Sequence, residues 1–324
     1  MAIYDYQGNP LIGIGGGVHT DSTPALVAEN TQSLVNTCAG VFALYDALVE
    51  AHPYYITKHT LTQGNVTNSE YRFKTPTINS YAGHRYAMDA EVAKPKLLLT
   101  AGTHGYERSA VMSTYVFLKN LADGTDSLRW MREGVEIRVL PIVSQYAYDH
   151  DRRYNANNVD INRNFDANWT QTGHPYYSGA SAASEDETKL AQAWIDANTD
   201  ALMHVDFHNS EVVKEILCLM AMSATSTADI MQEKIVQSLY PTIAHWHTVR
   251  GLTGNDVIPY YFGDDTSRHG WFALYSQMKG IPGFVIETSW NINSTGKHSA
   301  ATIATGAEAV AAVMRGFMYG AYSV

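Results

Sequence analysis

The chain has 324 residues, of which 45% are hydrophobic, and a formal net charge of −10 at pH 7. This length and hydrophobic content predict one large folded domain or two ordinary ones, and they argue against extensive disorder. The 22 basic and 32 acidic residues include no basic stretch that could displace counterions from a polyanion. The composition therefore argues against a nucleic-acid partner and against binding to an anionic membrane.

The cysteines and the N-terminal segment bear on the compartment. Cys38 and Cys218 are far apart in sequence and form no Cys-x-x-Cys pair, so we expect two free buried thiols and no disulfide framework. The N-terminus has no basic region followed by an apolar core, and no apolar run is long enough to cross a membrane. We expect no membrane partner, and the compartment stays open, with the cytoplasm as the default.

The apolar pattern predicts strands that alternate with helices, which is typical of an α/β domain. Residues 1–22, rich in Gly and polar residues, are interpreted as an N-terminal extension before a single domain over 23–324. Predicted helices cover residues 23–51, 109–121, 184–198, 226–238, 271–278 and 299–317. Predicted strands cover residues 54–61, 71–77, 96–101, 135–143, 202–207, 216–222 and 283–286.

Two local features refine this pattern. Ser184 and Glu187 match a capping box, with the Ser at the N-cap of the predicted helix and the Glu at its third position. Residues 144–183 show little periodicity and many Asn, Asp, Gly and Tyr. A long irregular segment inside a compact domain is uncommon and is often functional.

His104 and Glu107 follow the apolar run of residues 96–101, which predicts a buried parallel strand followed by Gly102. They then lie in the turn at the carboxyl end of that strand, where open α/β sheets bind their ligands. Three residues make about one helical turn, so the imidazole and the carboxylate can converge on one cation.

Two further polar residues lie at the carboxyl ends of predicted strands. His208 follows Met-His-Val-Asp-Phe, and Glu287 follows Gly-Phe-Val-Ile. In a doubly wound sheet these ends share one edge, so the side chains can meet despite their separation in sequence. Two His and one carboxylate form a catalytic zinc set with a fourth position for water, and a further Glu can accept the proton of that water.

Other arrangements of these residues remain open. The His-x-x-Glu spacing occurs a second time at His208 and Glu211, so Glu211 could compete as a carboxylate ligand. His204, Asp206 and His208 alternate along one strand and therefore share a face, where they could form a different cluster. The pair His104 and Glu107 fits the edge of a parallel sheet better.

The segment 152–165, Arg-Arg-Tyr-Asn-Ala-Asn-Asn-Val-Asp-Ile-Asn-Arg-Asn-Phe, is the least generic stretch of the chain. Alone it fits a polar surface loop in which Arg side chains pair with nearby Asp residues. With His-x-x-Glu after one strand, Asp-Phe-His after another and Phe-Val-Ile-Glu after a third, it resembles the zinc metallocarboxypeptidases, the carboxypeptidase A-like family. The resemblance spans roughly residues 40–320, and Val-Asp-Ile-Asn-Arg-Asn-Phe is its most specific element.

This resemblance implies a three-layer α/β/α fold with a mixed, mostly parallel twisted sheet. It also implies one Zn²⁺ per chain and a role for each matching residue. In the metal site, His104, Glu107 and His208 would bind zinc, and Asp160 would hold the other nitrogen of His104. Around the substrate, Glu287 would be the general base and later proton donor, Asn162 and Arg163 would bind the terminal carboxylate, and Arg153 would stabilise the oxyanion.

Some assignments from the resemblance are open. Arg152 competes with Arg153 as the oxyanion stabiliser. The tyrosine that closes over substrate in carboxypeptidase A should fall in the region of Tyr260 and Tyr261. Arg268 and His269 lie near the part of the family that lines the specificity pocket, and they hint at an acidic side chain or a polar cap on the substrate.

The leading hypothesis is a metallopeptidase that hydrolyses a peptide (amide) bond next to a free C-terminal carboxylate, by Glu-assisted attack of zinc-bound water. Its partner would be a peptide or small amidated substrate with a free carboxylate. A second hypothesis is a zinc-dependent N-acyl amino acid deacylase of the aspartoacylase and succinylglutamate desuccinylase type. A third is a non-catalytic binding module, against which the retention of both His, both Glu and the Arg pair argues.

Overall fold

The computed structural model describes residues 32–75, 94–211, 217–222, 226–250, 260–262, 269–291 and 296–321. The predicted N-terminal extension and the predicted helix start at Thr23 lie outside these residues. The first described helix, α1, spans Cys38–Ala51, and the Thr37 side chain accepts a hydrogen bond from the Gly40 amide at 3.2 Å. Because residues 32–36 are not helical, the prediction of one continuous helix from residue 23 to 51 is wrong.

Eight strands of the described residues form one sheet in the order β1-β2-β4-β3-β5-β8-β6-β7. Their bounds are β1 Ile56–Gln63, β2 Val66–Phe73, β3 Lys96–Ala101, β4 Glu136–Leu140, β5 Met203–Ser210, β6 Leu217–Ala221, β7 Tyr260–Phe262 and β8 Gly283–Ser289. Strands β4, β3, β5 and β8 run parallel to one another, whereas β1, β2 and β6 make antiparallel pairs. The predicted mixed sheet is confirmed.

The remaining helices are α2 Arg108–Asp123, α3 Arg129–Gly134, α4 Gln145–Asp149, α5 Asp186–Asp196, α6 Ser226–Arg250, α7 Phe272–Met278 and α8 Ala300–Ala321. The predicted capping box is wrong, since α5 has Glu185 at its N-cap and Ser184 donates its hydroxyl hydrogen to the Glu185 carboxylate instead. Within the described residues, no helix combines the length and apolarity needed to cross a membrane.

Helices cover both faces of the sheet because successive side chains of a strand point to opposite sides. In β3, Leu97 and Leu99 pack in a large cluster with residues of α1, α2, α6 and α8. Leu98, between them, packs in a second cluster with residues of α5 and α7. The three-layer arrangement is therefore present, and the uninterrupted apolar run of β3 reflects burial on both faces.

The three parallel strands β3, β5 and β8 bring the predicted polar residues to one edge. His104 and Glu107 follow β3, while His208 lies near the end of β5 and pairs in register with Glu287 of β8. Both strands are longer than predicted, so His208 and Glu287 lie within strands and not after them. The ladder of the sheet therefore sets the spacing between His208 and Glu287, while His104 is placed by the turn after β3.

The turn after β3 depends on two glycines. Gly102 has a φ of +65°, which an L side chain rarely adopts, and its carbonyl accepts a hydrogen bond from Ser144. Gly105 lies directly against the backbone of α4, so that a Cβ at this position would overlap the Ala147 carbonyl and the Tyr148 amide. This close contact places the segment between His104 and Glu107 against α4.

We expect Gly105→Ala to lower the free energy of unfolding by about 1–3 kcal/mol, because the added methyl group must displace backbone. Gly134→Ala is the matched control, since a Cβ there meets no atom within 4 Å. Urea denaturation of both variants measures the difference, and the control should stay within about 0.5 kcal/mol of the parent protein. Equal stability of the two variants would contradict the close approach at Gly105.

Candidate metal centre and active-site cleft

Three buried side chains converge at the carboxyl edge of the sheet. The Nδ1 atoms of His104 and His208 lie 2.7 and 2.8 Å from the two carboxylate oxygens of Glu107. All three residues are at most 4% exposed, and one potential ligand atom from each lies within 4.8 Å of the others. Among the described residues this is the one group of three His, Cys, Asp or Glu side chains with geometry suited to a metal ion.

Each of the two imidazoles is hydrogen-bonded through Nε2 to a buried aspartate. His104 Nε2–H donates to Asp160 Oδ1 at 3.0 Å, and His208 Nε2–H donates to Asp206 Oδ2 at 2.7 Å. With Nε2 bonded to an aspartate, Nδ1 is the atom of each ring that is directed at Glu107 and the centre of the cluster. Such carboxylate partners fix the ring orientation and raise the basicity of a metal-binding histidine.

Glu107 is ionised in spite of its burial. Burial favours the neutral acid, but the neighbouring His104 and His208 outweigh it and hold the pKa of Glu107 well below its usual range. The backbone amide of Asn209 also donates to Glu107 Oε2 at 3.1 Å. The carboxylate is thus available as an anionic ligand.

Asp160 connects the cluster to the arginine-bearing loop. Its Oδ1 also accepts the Asn162 amide at 3.1 Å, which caps a short 3₁₀ turn over Ile161–Arg163. Its Oδ2 accepts the Nε–H of Arg153 at 2.8 Å. Burial opposes ionisation of Asp160, but the charges of His104, Arg153 and Arg163 prevail and hold its pKa well below the usual range.

The structure separates the two arginines that compete in the sequence. Arg153 lines the cleft and donates to the Tyr106 hydroxyl at 3.0 Å as well as to Asp160. Arg152 instead donates to the Asn158 side chain and lies over the ring of Tyr146, and it is not part of the cleft wall.

Glu287 faces the cluster from β8, beside His208. Its Oε2 atom is buried and has no hydrogen-bond partner among the described residues. Burial, reinforced by the negative charge of Glu107, raises the pKa of Glu287 to about 7. A carboxyl group with a pKa near neutrality and no fixed partner is suited to proton exchange.

A cleft of about 490 Å³ is lined by residues that include His104, Glu107, Arg153 and Glu287. Asn162 and Arg163 lie on its wall, and Asn162 Oδ1 accepts the Phe272 amide at 2.9 Å, so its NH₂ group is left to donate elsewhere. The Arg163 guanidinium lies 4.8 Å from the centre of the Trp271 ring and 5.3 Å from that of Tyr176. The wall therefore combines fixed donors with aromatic faces.

The alternative ligand sets of the sequence are not assembled. Glu211 lies on the cleft wall but is exposed and outside the buried cluster. His204 and Asp206 do lie close to His208, but they take part in hydrogen bonds and not in the candidate ligand set. The Thr100 hydroxyl donates to Asp206 Oδ1 at 2.7 Å, and its oxygen lies 2.9 Å from His204 Nε2. Burial lowers the pKa of His204 to about 4, which keeps its ring neutral.

Some predicted residues are not placed at the site. Tyr260 and Tyr261 belong to β7, next to β6 at the edge of the sheet, and their side chains lie outside the described residues, as does Arg268. His269 is half-buried and does not line the cleft. Cys38 is a free buried thiol as expected, and the side chain of Cys218 is outside the described part.

Sequence reasoning missed the role of Asp206 and the aromatic side chains of the cleft. Asp206 stands two residues before His208 on a strand, so both point to the same face, and this spacing could have indicated a carboxylate–histidine pair. Tyr106, Tyr176, Trp271 and Trp290 carry no comparable signal, because loop aromatics occur in many other contexts.

The comparisons with known proteins agree with this architecture. A family model described as zinc carboxypeptidase matches residues 43–299, which is most of the chain. The chain belongs to the zinc carboxypeptidase family. The resemblance inferred from the sequence is thereby confirmed, and the family is zinc-dependent.

Individual relatives are distant or partial. Murein peptide amidase A from Escherichia coli (strain K12) is 43% identical over 94 residues, which is 29% of this chain and 35% of that protein. The match thus spans about a third of the length of the curated relative. Among solved structures, carboxypeptidase A from Helicoverpa armigera has a TM-score of 0.68 at 17% identity, covering 90% of this chain and 74% of that one. A metallo-carboxypeptidase from Burkholderia cenocepacia has a TM-score of 0.61 at 17% identity, with 86% and 68% covered. At these identities the structures show a shared fold.

The buried cluster fits the zinc ion that the family implies. Catalytic zinc sites use three protein ligands of nitrogen and oxygen type and leave one position open. His104, Glu107 and His208 supply such a set, and His104 and Glu107 border the cleft. The two buried aspartates fix the imidazole tautomers that a metal requires.

We expect Asp206→Asn to weaken zinc binding by roughly 10–100-fold, because the amide no longer supports the basicity of His208. Competition with a chromogenic chelator measures the affinity directly and requires no substrate. Asp200→Asn is the control, since its carboxylate is largely exposed and pairs with Lys96 at the start of β3. Unchanged affinity in Asp206→Asn would show that this contact does not support His208.

Proposed function

We propose that this member of the zinc carboxypeptidase family hydrolyses an amide bond next to a free carboxylate, in its simplest form a C-terminal peptide bond. The observation that carries the proposal is the arrangement of the cleft. Two members of the metal-ligand cluster, His104 and Glu107, line the same cleft as the guanidinium groups of Arg153 and Arg163. Glu287 lines this cleft too, and its Oε2 atom has no hydrogen-bond partner among the described residues. Proton exchange and anion binding are thus available in one cavity.

Zinc, when bound, acts as a Lewis acid that lowers the pKa of a coordinated water to about 7 and polarises a carbonyl group. Glu287 then serves as the base that accepts a proton from the attacking water and returns it to the leaving nitrogen. Its pKa of about 7 reflects burial and the charge of Glu107. The bound cation would offset that charge, which favours the ionised form needed in the first step.

Two arginines have separate tasks in this proposal. Arg153 donates to the oxyanion that forms on the attacked carbonyl, and its guanidinium is held in place by Asp160 and Tyr106. Arg163 binds the free carboxylate, for which its planar fork of donors is suited. Asn162 adds its NH₂ group beside Arg163, because its oxygen is already used by the Phe272 amide.

The partial likeness to a murein peptide amidase supports a peptide substrate and leaves its size open. The second candidate, a deacylase of N-acyl amino acids, requires the same metal ligands and carboxylate-binding residues. The alternative of a binding module without catalysis is disfavoured by Glu287, whose buried oxygen has no structural partner among the described residues.

A substrate panel tests this proposal and separates the two candidates. We expect the zinc-loaded protein to cleave peptides with a free C-terminus and to be inactive on the same peptides with an amidated C-terminus. Mass spectrometry of the products also tells removal of a single residue from internal cleavage. Activity on N-acyl amino acids alone would refute the peptidase and support the deacylase, and inactivity on the whole panel would refute both.

We expect Glu287→Gln to retain zinc but to lower kcat by about 10²–10⁴-fold, because the amide cannot accept a proton. Zinc content and kcat are measured on the same preparation. Glu211→Gln is the matched control, since this exposed carboxylate also lies on the cleft wall but outside the buried cluster. A Glu287→Gln variant with the kcat of the parent protein would refute the assignment of the base.

A further inference from the structure

Tyr176 is a large aromatic residue with 49% of its surface exposed, although it lies on the cleft wall. Its position is set by the backbone around it. Its amide donates to the Gly173 carbonyl at 3.0 Å, and the Tyr154 hydroxyl donates to the carbonyl of Pro175 at 2.6 Å. The ring therefore projects into the cleft from a loop that is held by hydrogen bonds.

The ring of Tyr176 contacts both arginines of the cleft. Its centre lies 5.4 Å from the guanidinium carbon of Arg153 and 5.3 Å from that of Arg163. A cation at this distance is attracted by the negative face of an aromatic ring. One ring is thus within the range of a cation–π contact with both positive charges.

Each of the two arginines also has contacts of its own among the described residues. Arg153 is held along its hydrogen-bonding edge by Asp160 and Tyr106. Arg163 donates to the Asn162 carbonyl at 2.7 Å and lies over Trp271. Tyr176 is an aromatic contact that both arginines share, so it relates the position of one guanidinium to that of the other.

We propose that Tyr176 is a positioning residue that sets the spacing between Arg153 and Arg163 by contacting both guanidinium groups. This inference rests on the proposed function, in which one arginine receives the oxyanion and the other the free carboxylate. The distance between those two groups is fixed in a substrate whose scissile bond is next to its carboxylate. A fixed spacing of the arginines selects such substrates, and the aromatic ring rather than the hydroxyl provides it.

The test compares Tyr176→Ala with Tyr176→Phe. We expect the Ala variant to lose ~tenfold in kcat/KM on a free-carboxylate peptide, mostly through a higher KM, while the Phe variant keeps the parent value. Selectivity for the free carboxylate over the amidated peptide should fall by a similar factor in the Ala variant. Tyr54→Ala is the control, because this tyrosine is 86% exposed and is not part of the cleft wall.

A second measurement does not depend on turnover. The Nε–H of Arg153 is hydrogen-bonded, so its NMR signal should be observable, and the ring of Tyr176 should shift it. We expect the signal to move in Tyr176→Ala and to stay in place in Tyr176→Phe and Tyr54→Ala.

Three results would overturn the inference. The first is that Tyr176→Ala leaves kcat/KM unchanged. The second is that Tyr176→Ala and Tyr176→Phe lower kcat/KM equally, which would assign the effect to the hydroxyl. The third is that the NMR signal of Arg153 does not move in Tyr176→Ala. A parent protein that is inactive on the whole substrate panel would instead refute the proposed function. The NMR comparison would then still decide whether Tyr176 positions Arg153.

Discussion

The buried Glu107 carboxylate is the group on which the rest of the site depends. An ionised carboxylate in a protein interior is costly unless it is paired, and here two imidazoles lie against its two oxygens. Each imidazole is in turn held by an aspartate, Asp160 or Asp206, and Arg153 balances one of them. When a metal displaces the Nδ1 protons and leaves both imidazoles neutral, the three carboxylates and one guanidinium carry two net negative charges. A divalent cation balances these charges, which gives the fit to zinc an electrostatic basis in addition to the ligand geometry.

The elements that place this cluster were predictable because they follow from short-range pattern. An apolar run buried on both faces identifies a parallel strand, and the polar residue at its end then falls at the edge of the sheet. This reasoning located His104 after β3 and brought His208 and Glu287 to the same edge. The ends of β5 and β8 were predicted too early, because the last residues of these strands are polar and do not continue the apolar pattern that indicates a strand.

The predictions that were wrong or missing have other causes. The supposed capping box at Ser184 and the early start of α1 came from local propensity, which tertiary contacts override. The choice between Arg153 and Arg152 depends on contacts between distant segments, such as the hydrogen bond from Arg153 to the Tyr106 hydroxyl. His104 and Asp160, for example, are 56 residues apart, and that pairing was implied by the family resemblance and not by periodicity. Aromatic residues such as Tyr176 depend on loop conformation, which no periodicity predicts.

Asp160 links the candidate metal ligand His104 to Arg153, the proposed oxyanion donor, and this affects how variants of the site are interpreted. One carboxylate holds His104 through Oδ1 and Arg153 through Oδ2, so neither partner can move independently of the other. In the proposed function, removing Arg153 would take away a donor to the oxyanion, and it would also remove the guanidinium that pairs with the buried charge of Asp160. The rate loss of such a variant therefore combines two effects, and its contribution will not add to that of a ligand substitution. Measuring zinc affinity together with kcat separates the two, because only the loss of support for His104 changes the affinity.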